Sequence, residues 1–148
     1  MTRYLVDTNI LSAAAPTTTV RHAELLAWMD SHSSDLFLSA VTIAEISDGV
    51  AKVKRQGASK KASKLAAWLQ TVLHLYGDRV LPFDTPTAEI AGKLSDLARS
   101  RGHSPGFADN AIAATAQLHR LIVLSRNERH YTPMDVIVID PFQRLPSG

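Results

Sequence analysis

Cysteine is absent from all 148 residues. That excludes a disulfide framework, a thiolate metal site and a cysteine nucleophile, and it suits a cytoplasmic setting. No apolar run approaches the roughly 20 residues that cross a bilayer, which predicts a protein without a membrane. The short patch Tyr4-Leu5-Val6 meets Asp7 at once, unlike a secretory signal. Internal repeats, low-complexity tracts and linkers are missing too. Acid is missing from one long stretch: between Asp48 and Asp78 there is none, while Lys52, Lys54, Arg55, Lys60, Lys61 and Lys64 fall there. A local basic surface attracts polyanions, although a solvated helical face accounts for the same residues. What remains is ordinary for one folded domain: 45% hydrophobic, 20% charged, net charge +2.

Apolar residues alternate between strand-like runs and helical periodicity. Tyr4 to Val6, Leu36 to Leu38, Val80 to Phe83, Leu121 to Ser125 and Val136 to Ile139 read as five strands. Helices are predicted over 20–31, 41–54, 59–76, 85–100 and 107–118. Thr85 is expected to cap its helix, with Pro86 at the first helical position. Short, unbroken apolar strands alternating with helices predict an α/β sandwich around a mainly parallel sheet. Trp28 and Trp68 fall on helical stripes, so they are expected in the core or at a dimer contact. His22, His32, His74 and His119 show no metal spacing and are expected at the surface. The segment from Phe142 onward is expected to be loosely held.

Three acids occupy positions that matter in such a fold. Asp7 follows the first strand, Glu45 lies in the first turns of the helix after the second, and Asp109 lies in the first turns of the helix before the fourth. Ligands bind outside the carboxyl ends of parallel strands, where the following helices begin. Each acid also has a structural explanation. Asp7 suits an N-cap, Thr42-Ile43-Ala44-Glu45 fits a capping box, and Asp109 complements a helix dipole. Taken together, three clustered carboxylates repel one another, and a hard dication such as Mg²⁺ or Mn²⁺ removes that penalty. Such a centre suits phosphodiester hydrolysis.

At these residues the chain resembles the PIN-domain ribonucleases, specifically the VapC-type toxins of toxin–antitoxin pairs with their FitB-like branch. The resemblance is carried by Leu5-Val6-Asp7-Thr8-Asn9-Ile10-Leu11, Leu38-Ser39-Ala40-Val41-Thr42-Ile43-Ala44-Glu45-Ile46, Val80-Leu81-Pro82-Phe83-Asp84, Ala108-Asp109-Asn110-Ala111-Ile112-Ala113-Ala114-Thr115-Ala116 and Leu124-Ser125-Arg126-Asn127. It implies one PIN-like domain over residues 1–142, a short tail over 143–148, and a five-stranded parallel sheet between helices. It further implies Mg²⁺- or Mn²⁺-dependent cleavage of RNA by Asp7, Glu45 and Asp109, which would also hold the metal. Thr8, Asn9, Ser125 and Asn127 match the family's supporting polar residues. A cognate VapB-like antitoxin and a homodimer are the implied partners. Relatives often carry a further acid at or three residues after Asn127; here those places hold Asn127 and His130, the latter expected at the surface. Glu128 is expected to point elsewhere. An RNA path is expected along Lys52, Lys54, Arg55, Arg126 and Arg129. The missing acid keeps open a second reading, a PIN-like module that binds RNA or antitoxin without cutting.

Overall fold

The computed structural model describes residues 2–147; Met1 and Gly148, the outer ends of the expected domain and tail, lie outside the described residues. Its centre is a sheet of five strands, β1 (Tyr4–Val6), β2 (Leu36–Ser39), β3 (Val80–Leu81), β4 (Ile122–Leu124) and β5 (Val138–Ile139), in the order β3-β2-β1-β4-β5. Every pairing is parallel. The chain moves outward one way from β1 to β3 and the other way from β4 to β5. The crevice between β1 and β4 is therefore the switch point where parallel sheets bind ligands.

Among the described residues seven α-helices connect the strands: α1 (Thr8–Leu11), α2 (Ala23–Ser31), α3 (Ala40–Arg55), α4 (Ser59–Tyr76), α5 (Thr85–Ser100), α6 (Phe107–His119) and α7 (Glu128–Tyr131). Strand residues alternate between the two faces of the sheet, and both faces are buried. Tyr4, Val6, Leu36, Leu38 and Leu124 join Leu25, Trp28, Met29, Ile46, Leu69 and Val72 in one core. Leu5 and Val123 join Ala91, Leu94, Ala98, Ile112, Tyr131 and Met134 in the other. Ala111, Ala113, Ala114 and Ala116 of α6 are buried, and their small side chains let α5 and α6 approach closely. The predicted three-layer α/β sandwich is the observed fold.

Several boundaries differ from expectation, each for a local reason. The helix predicted from Val20 begins only at Ala23; Val20 is β-branched and loses rotamer freedom in a helix. The third strand stops at Leu81 rather than Phe83, because Pro82 has no N–H to continue a ladder. Strands β4 and β5 are likewise shorter than predicted. Asp84, not Thr85, caps α5: its carboxylate accepts from the Thr87 N–H at 3.3 Å and the Thr87 hydroxyl at 2.7 Å. These bonds hold the Asp84 carboxyl below the usual carboxylate range.

Trp28 meets Tyr4 edge-on at 5.3 Å and stacks on His32 at 4.5 Å. His32 is thus half-buried rather than a plain surface residue, as is His22, whose ring meets Phe142 at 4.4 Å. His119 is half-buried too, and only His74 of the four is exposed. Phe142 packs on the first core beneath the Arg126 guanidinium and Pro146 is buried, while residues 143–145 and Ser147 are exposed. Among the described residues no helix is long and apolar enough to cross a membrane.

Arg120 closes α6 in the left-handed conformation, at φ 57°. A side chain there carries a steric penalty that glycine avoids. Arg120→Gly is expected to raise stability by up to about 1 kcal/mol, read as a higher denaturant midpoint at unchanged slope.

Candidate functional site

Asp7 leaves β1 at the switch point, its backbone N–H bonded to the Leu124 carbonyl of β4 at 2.9 Å. The side chain is 4% exposed and heavily hydrogen-bonded. Oδ1 accepts from the Thr8 N–H at 2.8 Å, the expected N-cap bond. Oδ2 accepts from the Ser125 hydroxyl at 2.7 Å, the Tyr131 phenol at 2.8 Å and the Asn9 amide at 3.3 Å. These four donors satisfy the hydrogen-bonding needs of the buried carboxylate.

Glu45 lies one turn into α3. Ser39 caps that helix, accepting from the Val41 N–H at 3.0 Å, so the Thr42–Glu45 capping box does not form. Glu45 Oε1 instead accepts from the Thr8 hydroxyl at 2.7 Å, and the buried Thr42 hydroxyl lies 3.1 Å from the same oxygen of Thr8. Asp109, in the first turn of α6, accepts from the Tyr131 phenol at 3.3 Å on Oδ1 and pairs with His130 Nδ1 at 2.8 Å on Oδ2.

The acids therefore form one hydrogen-bonded row, Glu45–Thr8–Asp7–Tyr131–Asp109. Thr8, Asn9 and Ser125 all donate hydrogen bonds to the acids. The Ser125 oxygen also accepts from the Asn127 backbone N–H at 3.0 Å and the Asn9 amide at 3.3 Å. Asn127 differs from expectation: only its backbone takes part, and its exposed side chain forms no cap on α7. His130 is exposed but not a bystander, since it grips Asp109. Glu128 does point away, its Oε1 accepting from the Asp140 N–H at 3.2 Å.

Tyr131 was not singled out by sequence. It is fully buried and bridges two acids. Burial first, then the Asp7 and Asp109 charges, push its phenol far above the ordinary value of 10, so it remains a donor throughout the accessible pH range. A hydroxyl-bearing aromatic one residue after His130 was the available signal.

All donors in the row are oxygens, which suits Mg²⁺ or Mn²⁺ in kind. The row is not a closed cage: among the described residues no three acidic or imidazole side chains are grouped to hold one ion. Two cavities flank it. One, of about 180 Å³, is bordered by Asp109, His130, Arg129 and His103. The other, of about 480 Å³, is bordered by Asn9, His22, Arg126 and Phe142. The exposed Lys52, Lys54 and Arg55 end α3, with Lys52 about 10 Å along the helix axis beyond Glu45.

The PIN domain family model matches residues 4–133. The chain belongs to the PIN-domain family. This PIN domain is 37% identical over 140 residues to Toxin FitB of Neisseria gonorrhoeae, covering 93% of the chain and 97% of that protein. It is 33% identical over 144 residues to VapC ribonuclease Y4jK of Sinorhizobium fredii, covering 94% and 97%. Its fold matches the crystal structure of FitAcB from N. gonorrhoeae with a TM-score of 0.83 at 37% identity, over 94% of this chain and 98% of that one.

Proposed function

We propose that this PIN domain is a divalent-metal-dependent endoribonuclease, the toxin of a toxin–antitoxin pair. The row of acids at the β1/β4 crevice carries the reading, supported by the names of its relatives, a toxin and a ribonuclease. Asp7, with Glu45 on one side of it and Asp109 on the other, would offer carboxylate oxygens to Mg²⁺ or Mn²⁺, whose other positions water and substrate phosphate would fill. Such an ion supplies charge for the scissile phosphate and activates water. The protein's own part is orientation: Thr8 sets Glu45 against Asp7, while Ser125, Asn9 and Tyr131 fix the Asp7 carboxylate in a single rotamer. Bonds of this kind around a reactive group limit reorganisation during the reaction.

The test is cleavage of single-stranded RNA in Mg²⁺ or Mn²⁺, with chelator as control. Metal-dependent cleavage is expected. RNA binding without cleavage in either metal establishes the second reading, a non-cutting module, which the lack of a fourth acid at Asn127 and His130 favours.

The basic end of α3 would carry the RNA backbone beyond the acids. Replacing Lys52, Lys54 and Arg55 with Gln is expected to weaken RNA binding and lower the slope of log K against log salt by about 2, three contacts at roughly 0.7 each. An unchanged slope places the RNA elsewhere. A VapB-like antitoxin segment would lie in the groove of about 310 Å³ between α2 and α4, lined by Leu26, Met29, Trp68, Val72 and Leu75. An amphipathic helix suits such a groove. A homodimer in the cytoplasm completes the proposal, as the family resemblance implies.

A further inference from the structure

The geometry points to a nucleobase pocket beside Asp109, which receives one unstacked base adjoining the cleaved bond; this inference rests on the ribonuclease reading above. The cavity of about 180 Å³ lies where the end of α5, the start of α6 and α7 meet. Ala98, Pro105 and Pro133 supply apolar walls, and His103, Ser104, Arg129 and His130 supply polar groups around them. Asp109 and His130 border this cavity and belong to the acid row as well. A nucleotide whose phosphate sits at the acids therefore has this cavity within reach of its own base.

The chemistry favours a base over a phosphate. A carboxylate on the rim repels a bare phosphate, whereas apolar walls with imidazole and guanidinium planes suit a π-face. Proteins read single-stranded RNA in this way, stacking splayed bases on His or Arg and bonding their edges. Ser104 and the loop 102–105, which is neither helix nor strand, present hydroxyl and backbone groups for edge contacts. No acid other than Asp109 lines the cavity, and the Asp109 oxygen nearest His130 is already partnered.

The experiment is a metal-free titration of the whole protein, in chelator, with each of the four nucleoside monophosphates and with inorganic phosphate. Backbone amide NMR shifts and affinities are the readouts. Shifts centred on residues 103–109 and 129–130 are expected, with one base preferred and inorganic phosphate ineffective. His103→Ala combined with Arg129→Ala is expected to weaken the preferred nucleotide about fivefold or more, the lower end of what truncating a stacking partner does. Ser104→Tyr, which plugs the cavity from its exposed rim, is expected to do the same in a protein with unchanged melting temperature. Equal response to all bases, an equal response to phosphate, or shifts confined to the Arg126 and Phe142 cavity would overturn the inference. Base-selective binding at this cavity without RNA cleavage sustains the pocket and removes the nuclease; cleavage without such binding does the reverse.

Discussion

Asp7→Asn is expected to lower RNA cleavage about a thousandfold and to shift the melting temperature by only a few degrees. The size follows from the charge it removes. A carboxylate-held dication contributes several kcal/mol of transition-state charge stabilisation, and about 4 kcal/mol is a thousandfold in rate. The small stability change follows from the bonds retained. Asparagine has the same shape, and its carbonyl can occupy the Oδ2 place, where Ser125 and Tyr131 donate. Its amide then faces the Thr8 N–H, so the cap on α1 is lost, which costs about 1 kcal/mol. Removing a buried charge from beside Asp109 offsets part of that loss. Cleavage rate and thermal midpoint, measured on the same preparation, check both halves. Wild-type cleavage by the Asn variant sinks the assignment of this site.

Tyr131→Phe is expected to have the second largest effect, on both metal affinity and alkaline stability. The substitution keeps the buried ring and deletes the donor shared by Asp7 Oδ2 and Asp109 Oδ1. Loss of a hydrogen bond to a charged group costs roughly 1.5–3 kcal/mol. Loss of an outer hydrogen bond that orients a metal ligand typically weakens metal binding 10–100-fold, and Mn²⁺ titration reads this. The pH effect has a definite sign. The folded state holds the phenol proton well above 10, while the unfolded chain releases it near that value. The tyrosine's contribution is therefore fully present below pH about 10 and is lost as pH rises above it. Wild-type stability should fall more steeply than that of the Phe variant across this alkaline range. Parallel curves would show that Tyr131 ionises freely in the folded protein.

Much of this was legible in the chain. Asp7 and Glu45 stood out because each lies at a strand–helix junction, which parallel sheets present along one edge; Asp109, on a helix that follows another helix, needed the further assumption that α6 starts near that edge. Ser125 and Asn9 were singled out only through the resemblance to the PIN-domain family. Tyr131 was not legible, since it is 124 positions from Asp7 and the one-turn helix that carries it has too few residues to show a period. His130 is at the surface, as expected, but its pairing with Asp109 was not legible for the same reason. The Asp84 cap was misplaced onto Thr85 by one residue, because Asp, Thr and Pro in succession all favour a helix start and only the Thr87 contacts separate them. Asn127 matched a motif, yet its side chain is exposed, and it is its own backbone N–H that donates to the Ser125 oxygen.

Sequence by itself determined the layered architecture, because apolar strands with no polar face must be covered on both sides, and helices at the observed spacing can cover them. It also determined which acids could meet. Tertiary structure alone decided how they meet: through Thr8 on one side and Tyr131 on the other, as a row held by neutral donors. Hydrogen bonds between residues far apart in the chain depend on distances of a few tenths of an ångström. Periodicity and local propensity carry no information at that scale.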